Sequence, residues 1–192
     1  MRASPEESRP FRLRPALPGD VRRISDLVVP YATDRILLAK ELVGYYESVQ
    51  EFVVAQAAVP AERAGDTGTA EQDGQGAGAT VGCGALHVMW EDLAEVRTLA
   101  VDPAWRGRGV GHAILAELLD RARGLGLRRV FCLTFEAEFF SQHGFQEIEG
   151  TPVTSDVYAE LLRSTDVGVA EFLDLAKVKP NTLGNTRMLL EL

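Results

Sequence analysis

Residues 97–115, RTLAVDPAWRGRGVGHAIL, join an apolar, strand-like run to a helical pattern through a loop in which arginine and glycine alternate. The join fixes a strand–turn–helix unit and sets Gly107, Gly109 and Gly111 at the mouth of the helix. A helix begins with backbone N–H groups that lack an intrahelical acceptor and with the positive end of its dipole, so it receives an anion where side chains leave room. Glycine leaves that room and permits a tight curl, and Arg106 and Arg108 add positive charge. The spacing departs from a dinucleotide fingerprint: the third glycine comes too early, and Pro103 and Trp105 separate the loop from the strand. No Lys-Ser/Thr follows, which excludes a Walker loop. Taken alone, the glycines also suit a plain strand-to-helix turn.

An anion site has to be local in this chain, because 28 acidic residues against 20 basic ones give a net charge of −8. That balance argues against general binding to nucleic acid or an anionic membrane. The 192 residues predict one well-cored domain spanning 1–192. No stretch approaches the roughly eighteen apolar residues of a membrane helix, and the charged, proline-rich start MRASPEESRPFRLRPALPGD carries no export signal, so a cytoplasmic location is expected. Cys83 and Cys132 lie in apolar runs and read as buried thiols. His87, His112 and His143 are scattered, with no metal-ligand spacing, and no metal is expected.

Periodicity predicts a strand at 11–16, then a helix opened by PGD with Val21, Ile24, Leu27 and Val28 on one face and ended or kinked at Pro30. A second helix is expected over 35–49 and a strand over 50–56. Residues 59–80 are small, polar and glycine-rich, too poor in apolar area to offset their ordering entropy, and are expected to form a disordered loop. Two strands follow as a hairpin about Glu91 and Asp92, then a helix from about Gly107 that stops at Gly124. A strand RRVFCLTF, a short helix about Glu138, a strand after Gly144, amphipathic stretches at 155–164 and 168–177 and a final strand RMLLEL complete the chain. The fold class is α/β (α+β): a central mixed, mostly antiparallel sheet with helices on both faces.

Arg106, Gly109 and Gly111, following LAVDP, together with the downstream EFFSQHGF, resemble the two signatures of the GCN5-related N-acetyltransferase (GNAT) superfamily. The resemblance implies acetyl-CoA as cosubstrate. Leu99, Ala100 and Val101 would offer backbone groups to its pantetheine arm, and the segment Arg106, Gly107, Arg108, Gly109, Val110, Gly111 and His112 would hold its pyrophosphate.

The segments RILLAKEL, QEFVV, GCGALHV, AEVRTLAVDP, RRVFCLTFEAEFF and GNTRMLLEL are similar to the amino-acid N-acetyltransferases (N-acetylglutamate synthases), and most to their short, single-domain actinobacterial form. That likeness implies transfer of acetyl to the α-amine of L-glutamate or L-glutamine, the first step of arginine biosynthesis. An α-ammonium must lose a proton before it attacks, and the family's glutamate base corresponds to Glu95; the other reading of Glu95 is a solvated carboxylate paired with Arg97. The family's oxyanion amide falls near Thr98 and Leu99. Phe140 stands where many acetyltransferases carry a tyrosine acid, and the subfamily's substitute hydroxyl corresponds to Thr134, which also reads as a helix cap. Lys40, Asn185 with Arg187, and Arg97 correspond to acceptor-binding positions, with a plain surface lysine as the other reading of Lys40.

The resemblance leaves open a homo-oligomer, and the segment 151–180 would either cover the acceptor or form an interface. Two alternatives stay beside this reading: a GNAT enzyme acting on another small amine or a protein N-terminus, and a non-catalytic acetyl-CoA sensor.

Overall fold

In the computed structural model of the chain, residues 9–33, 41–58, 78–175, 178 and 184–192 are described. Seven strands make one mixed sheet: β1 (Phe11–Pro15), β2 (Phe52–Ala57), β3 (Thr80–Trp90), β4 (Leu93–Val101), β5 (Arg129–Thr134), β6 (Gln146–Glu147) and β7 (Thr186–Glu191). Their order is β1-β2-β3-β4-β5-β7-β6. β4 and β5 run parallel, with Leu93, Ala94 and Glu95 opposite Arg129, Val130 and Phe131. The helices are α1 (Val21–Thr33), α2 (Leu42–Glu47), α3 (Val110–Gly124), α4 (Ala137–Ser141), α5 (Ser155–Leu161) and α6 (Val167–Phe172). The chain divides into two compact units, Met1–Ala85 with Thr98–Leu118, and Leu86–Arg97 with Leu119–Leu192.

In the first unit β1 pairs antiparallel with β2, and β2 with β3, through a bulge between Ala55 and Gln56. Asp20 turns the chain from β1 into α1, because its carboxylate takes both Arg14 Nη atoms at 2.7 and 2.8 Å and the Leu17 amide at 2.8 Å. The expected stripe Val21, Ile24, Leu27 and Val28 is buried against Tyr45, Phe52, Val54, Cys83 and Ala85. Pro30 does not end the helix: it lies inside α1, which continues to Thr33. Only one amide bond is forfeited so near the C-terminal end. Of the helix expected over 35–49, α2 and a 3-10 turn at Val49–Glu51 are seen, and residues 34–40 lie outside the described residues, as does 59–77 of the expected loop.

Helix α3 packs closely because β3 presents glycines to it. A Cβ on Gly84 would lie 2.7 Å from Ile114 Cγ2 and 3.1 Å from both Leu118 Cδ1 and Leu99 Cδ1. Gly84→Val is therefore expected to destabilise the protein by about 1–3 kcal/mol through overpacking, read as a lower urea midpoint with an unchanged slope. The left-handed residue after α3 is Gly126, with φ 77°, and not Gly124, the residue on which the sequence placed the stop; Gly124 is the last helical residue.

In the second unit β5 pairs antiparallel with β7, from Arg129↔Glu191 to Thr134↔Thr186, and β6 with β7. Asp92 in the turn between β3 and β4 takes the Arg129 guanidinium in a fork at 3.1 and 3.2 Å. The two amphipathic stretches form shorter helices than their periodicity suggests. Thr154 caps α5 and Asp166 caps α6, each accepting the amide three residues on. Their apolar faces join a core of Met89, Leu93, Phe131, Leu161, Val169, Phe172 and Leu173. The rings of Phe131 and Phe172 meet edge to face at 5.0 Å.

Candidate active site

Within β4, in the first unit, Thr98 is a buried residue held at φ 59°. A β-branched side chain in the left-handed region is strained, and such a residue persists only where its surroundings fix it. The Thr98 carbonyl accepts the Cys83 thiol at 3.7 Å; burial pushes that thiol up to about 12, so it stays protonated and does no nucleophilic work. Leu99, Ala100 and Val101 follow. Asp102 then takes the chain out of the sheet, accepting the Ala104 amide at 2.9 Å and Arg23 Nη2 at 2.7 Å.

Gly107 and Gly109 have φ values of 72° and 76°, which only glycine adopts without strain, and a Cβ on either would meet nothing within 4 Å. The glycines are there for backbone conformation, and together with Arg106 and Arg108 they are exposed ahead of the free amides of α3. Arg106 Nη2 donates to the Tyr31 hydroxyl at 3.0 Å and lies 5.3 Å from that ring's centre. Tyr31 in turn donates to the Val101 carbonyl at 2.7 Å. Arg108 lies over Trp105 at 4.9 Å. Val110 is buried, Gly111 falls within the first turn of α3, and His112 is exposed.

The second unit assembles a cluster of charges. Glu95 and Arg97, two apart on β4, share a face, and Nη2 of Arg97 lies 2.8 Å from Glu95 Oε2; the side chains are only 8% and 5% exposed for Arg97 and Glu95. The pair is buried, not solvated. Arg97 Nη1 donates to Asp166 Oδ2 at 3.0 Å. Burial raises the Asp166 carboxyl, but the hydrogen bond and charge of Arg97, with the Val169 amide, outweigh it and bring the group to about 2, so it is anionic at neutral pH. Glu95 Oε2 has no hydrogen-bond partner among the described residues, so Arg97 holds it by charge and not by an aligned N–H.

Gly168 roofs the pair, since a Cβ there would stand 2.8 Å from Glu95 Oε2 and 2.9 Å from Arg97 Nη2. Asp166, Gly168 and Tyr31 are not among the residues the sequence picked out. The pattern at 166 signals only a helix cap, because a partnership with a residue 69 positions away is a tertiary fact.

Arg187 is committed to backbone. It donates to the carbonyls of Gly150 at 3.2 Å, Glu171 at 3.1 Å and Phe172, and its guanidinium lies 5.1 Å from the centre of the Phe131 ring. Asn185 is half-buried just before β7, and Lys40 lies outside the described residues. The Thr134 hydroxyl oxygen accepts the Glu136 amide at 2.9 Å, the helix-entry duty that sequence allowed. It sits three positions beyond Phe131, which strand alternation assigns to the other face of β5. Phe140 is buried, its ring 5.2 Å from those of Phe139 and Phe145.

A strand carrying a left-handed residue, running into a cationic glycine loop at a helix N-terminus within this sheet order, is the framework of a coenzyme-A-dependent acyltransferase. The chain belongs to the acetyltransferase (GNAT) family, whose sequence profile matches residues 36–147. It is 55% identical over 192 residues, all of both chains, to the amino-acid acetyltransferase of Mycobacterium tuberculosis. To the amino-acid acetyltransferase of Neisseria meningitidis it is 32% identical over 136 residues, 70% of this chain but 27% of that one. A Mycobacterium tuberculosis protein solved in complex with CoA and NLQ superposes with a TM-score of 0.81 at 56% identity, over 94% of this chain and 99% of the other. The N-acetylglutamate synthase of Neisseria gonorrhoeae shares the fold, with a TM-score of 0.68 at 23% identity over 95% of this chain and 35% of its own. The protein is thus an acetyltransferase with acetyl-CoA as its cosubstrate.

Because the Tyr31 hydroxyl accepts from Arg106 and donates to the Val101 carbonyl, Tyr31→Phe removes both hydrogen bonds and keeps the ring. Initial rates are expected to show a KM for acetyl-CoA raised roughly 2- to 10-fold with kcat little changed.

Proposed function

We propose that the protein is an amino-acid N-acetyltransferase that acts in the cytoplasm as one domain and moves acetyl from acetyl-CoA to the α-amine of L-glutamate or L-glutamine, the first step of arginine biosynthesis. One observation carries this reading: a buried carboxylate, Glu95, stands 2.8 Å from a buried guanidinium, Arg97. A base and a cation side by side match the ammonium and carboxylate of an α-amino acid. The relative that is 55% identical over the whole chain is an amino-acid acetyltransferase, which supports the same class of acceptor.

The Glu95 carboxylate takes a proton from the acceptor ammonium, directly or through water, and frees the amine lone pair to attack the thioester carbonyl. As the N–C bond forms, the oxyanion is received by a backbone amide of β4 near Thr98 and Leu99. The C–S bond then breaks, and the thiolate takes up the proton that the nitrogen sheds as the amide forms, relayed by water or by the Thr134 hydroxyl, which ends protonated as it began. The loop from Arg106 to His112 holds the pyrophosphate by amides and charge, and Lys40, Arg97, Asn185 and Arg187 are the candidates for the acceptor's carboxylate and side chain.

The test is thiol release from acetyl-CoA with each of the twenty amino acids and with polyamines, corrected for acceptor-free hydrolysis. Release confined to glutamate or glutamine upholds the proposal. The two carboxylates beside Arg97, Glu95 and Asp166, would also suit a cationic acceptor. Release confined to polyamines would establish that reading instead.

A further inference from the structure

The Glu95–Arg97 pair includes a third member that the reaction scheme above does not use. Arg97 gives its directional hydrogen bond to Asp166, at 3.0 Å, while Glu95 lies closer, at 2.8 Å, without one. Asp166 is itself fixed: Oδ1 accepts the Val169 amide at 2.9 Å, Oδ2 accepts Arg97, and its own amide donates to Ser164 Oγ at 3.1 Å. The geometry points to Asp166 as a positioning residue for acyl transfer, one that draws the Arg97 guanidinium toward α6 and so keeps its fork from closing on the Glu95 carboxylate. This rests on Glu95 being the base.

The physical reason is competition for one fork. An arginine that meets a single carboxylate closes on it through parallel N–H···O bonds, which occupy the lone pairs and stabilise the anion. Shared between two carboxylates, the fork cannot do so for both. Here the division is enforced from three sides. Asp166 is locked by the first turn of α6. Gly168 gives the pair its space, and any side chain there would drive the guanidinium and the carboxylate apart. Glu95 is held opposite Phe131 by the parallel pairing of β4 with β5.

Other charged and titratable groups face the cluster from every element packed on it. From β3, His87 acts on Asp166. From β5, Cys132 feels Glu95 and, buried, is held well above the usual thiol range, so it remains neutral. From β7, Arg187 feels Glu95 and Asp174. Glu171 is buried on α6. His87 acts on Asp166 directly, so a shift in pH behaviour on a change at Asp166 reports the loss of that charge from the whole cluster, Arg97 and His87 included.

Asp166→Asn is the deciding variant. Asparagine caps a helix as well as aspartate does, so α6 keeps its first hydrogen bond while the charge that competes for Arg97 is lost. The guanidinium then closes on Glu95, which holds its negative charge more tightly. The acidic limb of kcat, measured with acetyl-CoA and glutamate or glutamine saturating, is expected to move to lower pH by roughly half to one unit. The plateau falls by about 3- to 10-fold, and KM for acetyl-CoA stays as it was. Asp166→Ser, which also caps but cannot reach Arg97, is expected to move the limb in the same direction and serves if the asparagine variant does not fold. Asp166→Glu is expected to bring the limb back toward its wild-type position.

An unmoved limb in a folded Asp166→Asn or Asp166→Ser protein, with only a change in melting temperature, would show that Asp166 is a cap and nothing more. Glu95→Gln, run beside them, separates the two failures. If it turns over like the wild type, the base assignment has failed and this proposal with it. If it is inactive while the Asp166 variants keep the wild-type limb, the positioning role alone is overturned.

Discussion

Replacing Glu95 by glutamine is expected to lower kcat by about 10²- to 10⁴-fold, the usual worth of a positioned general base. Melting temperature and acetyl-CoA affinity are expected to stay close to wild type. The combination is unusual for a change at a buried charge, and it follows from the count of charges in the cluster. Removing one partner of an isolated buried ion pair strands the other and costs stability. Here the removal takes a cluster of two carboxylates and one guanidinium to one of each, since Arg97 keeps its 3.0 Å hydrogen bond to Asp166. The amide is nearly the size of the carboxylate and fits the same space under Gly168. Differential scanning calorimetry, titration with acetyl-CoA and steady-state rates measure the three quantities. A variant that melts much lower than wild type would show that Glu95 holds the fold, and a full rate would show that it is not the base.

Arg187→Met is expected to cost about 2–4 kcal/mol of stability, because a guanidinium that serves three backbone carbonyls is lost and the carbonyls keep no protein donor in its place. Methionine retains much of the contact with the Phe131 ring, which isolates the hydrogen bonds from the packing. Two readouts distinguish the roles open to this arginine. If it secures the end of α6, the urea midpoint falls, and Arg187→Lys recovers only part of the loss, since an ammonium does not reproduce the fork. If it holds the acceptor's carboxylate instead, KM for the amino acid rises while the urea midpoint stays. The observed bonds favour the first outcome.

What was legible in the sequence was whatever local pattern governs. The glycine loop, the strand before it and the helix after it are dictated by residues within a few positions of one another, and all three are present in that order, with the helix starting at Val110 and not at Gly107. The burial of Val21, Ile24, Leu27 and Val28 follows from helical spacing alone. The nearness of Glu95 to Arg97 follows from alternation along one strand. Their burial does not, because the cover over them comes from Asp166 and Gly168, whose place depends on how the C-terminal helices fold back onto β4, β5 and β7. Arg187 shows the same boundary. Its chemistry suits a carboxylate, and only the structure reveals that the end of a helix supplies oxygens for it first. The persistence of α1 through Pro30 has another cause, since a lost amide bond is cheap near a helix end and the buried stripe decides.

Helix α6 has six residues, too few to persist in water by its own hydrogen bonds. It is tied at its first turn through Asp166 to Arg97 and at its last through its carbonyls to Arg187, with Val169 and Phe172 pressed into the core between. Its amides can therefore exchange with solvent deuterium only when those ties release. The opening free energy of this one turn and a half measures how often water reaches the buried carboxylate of Glu95.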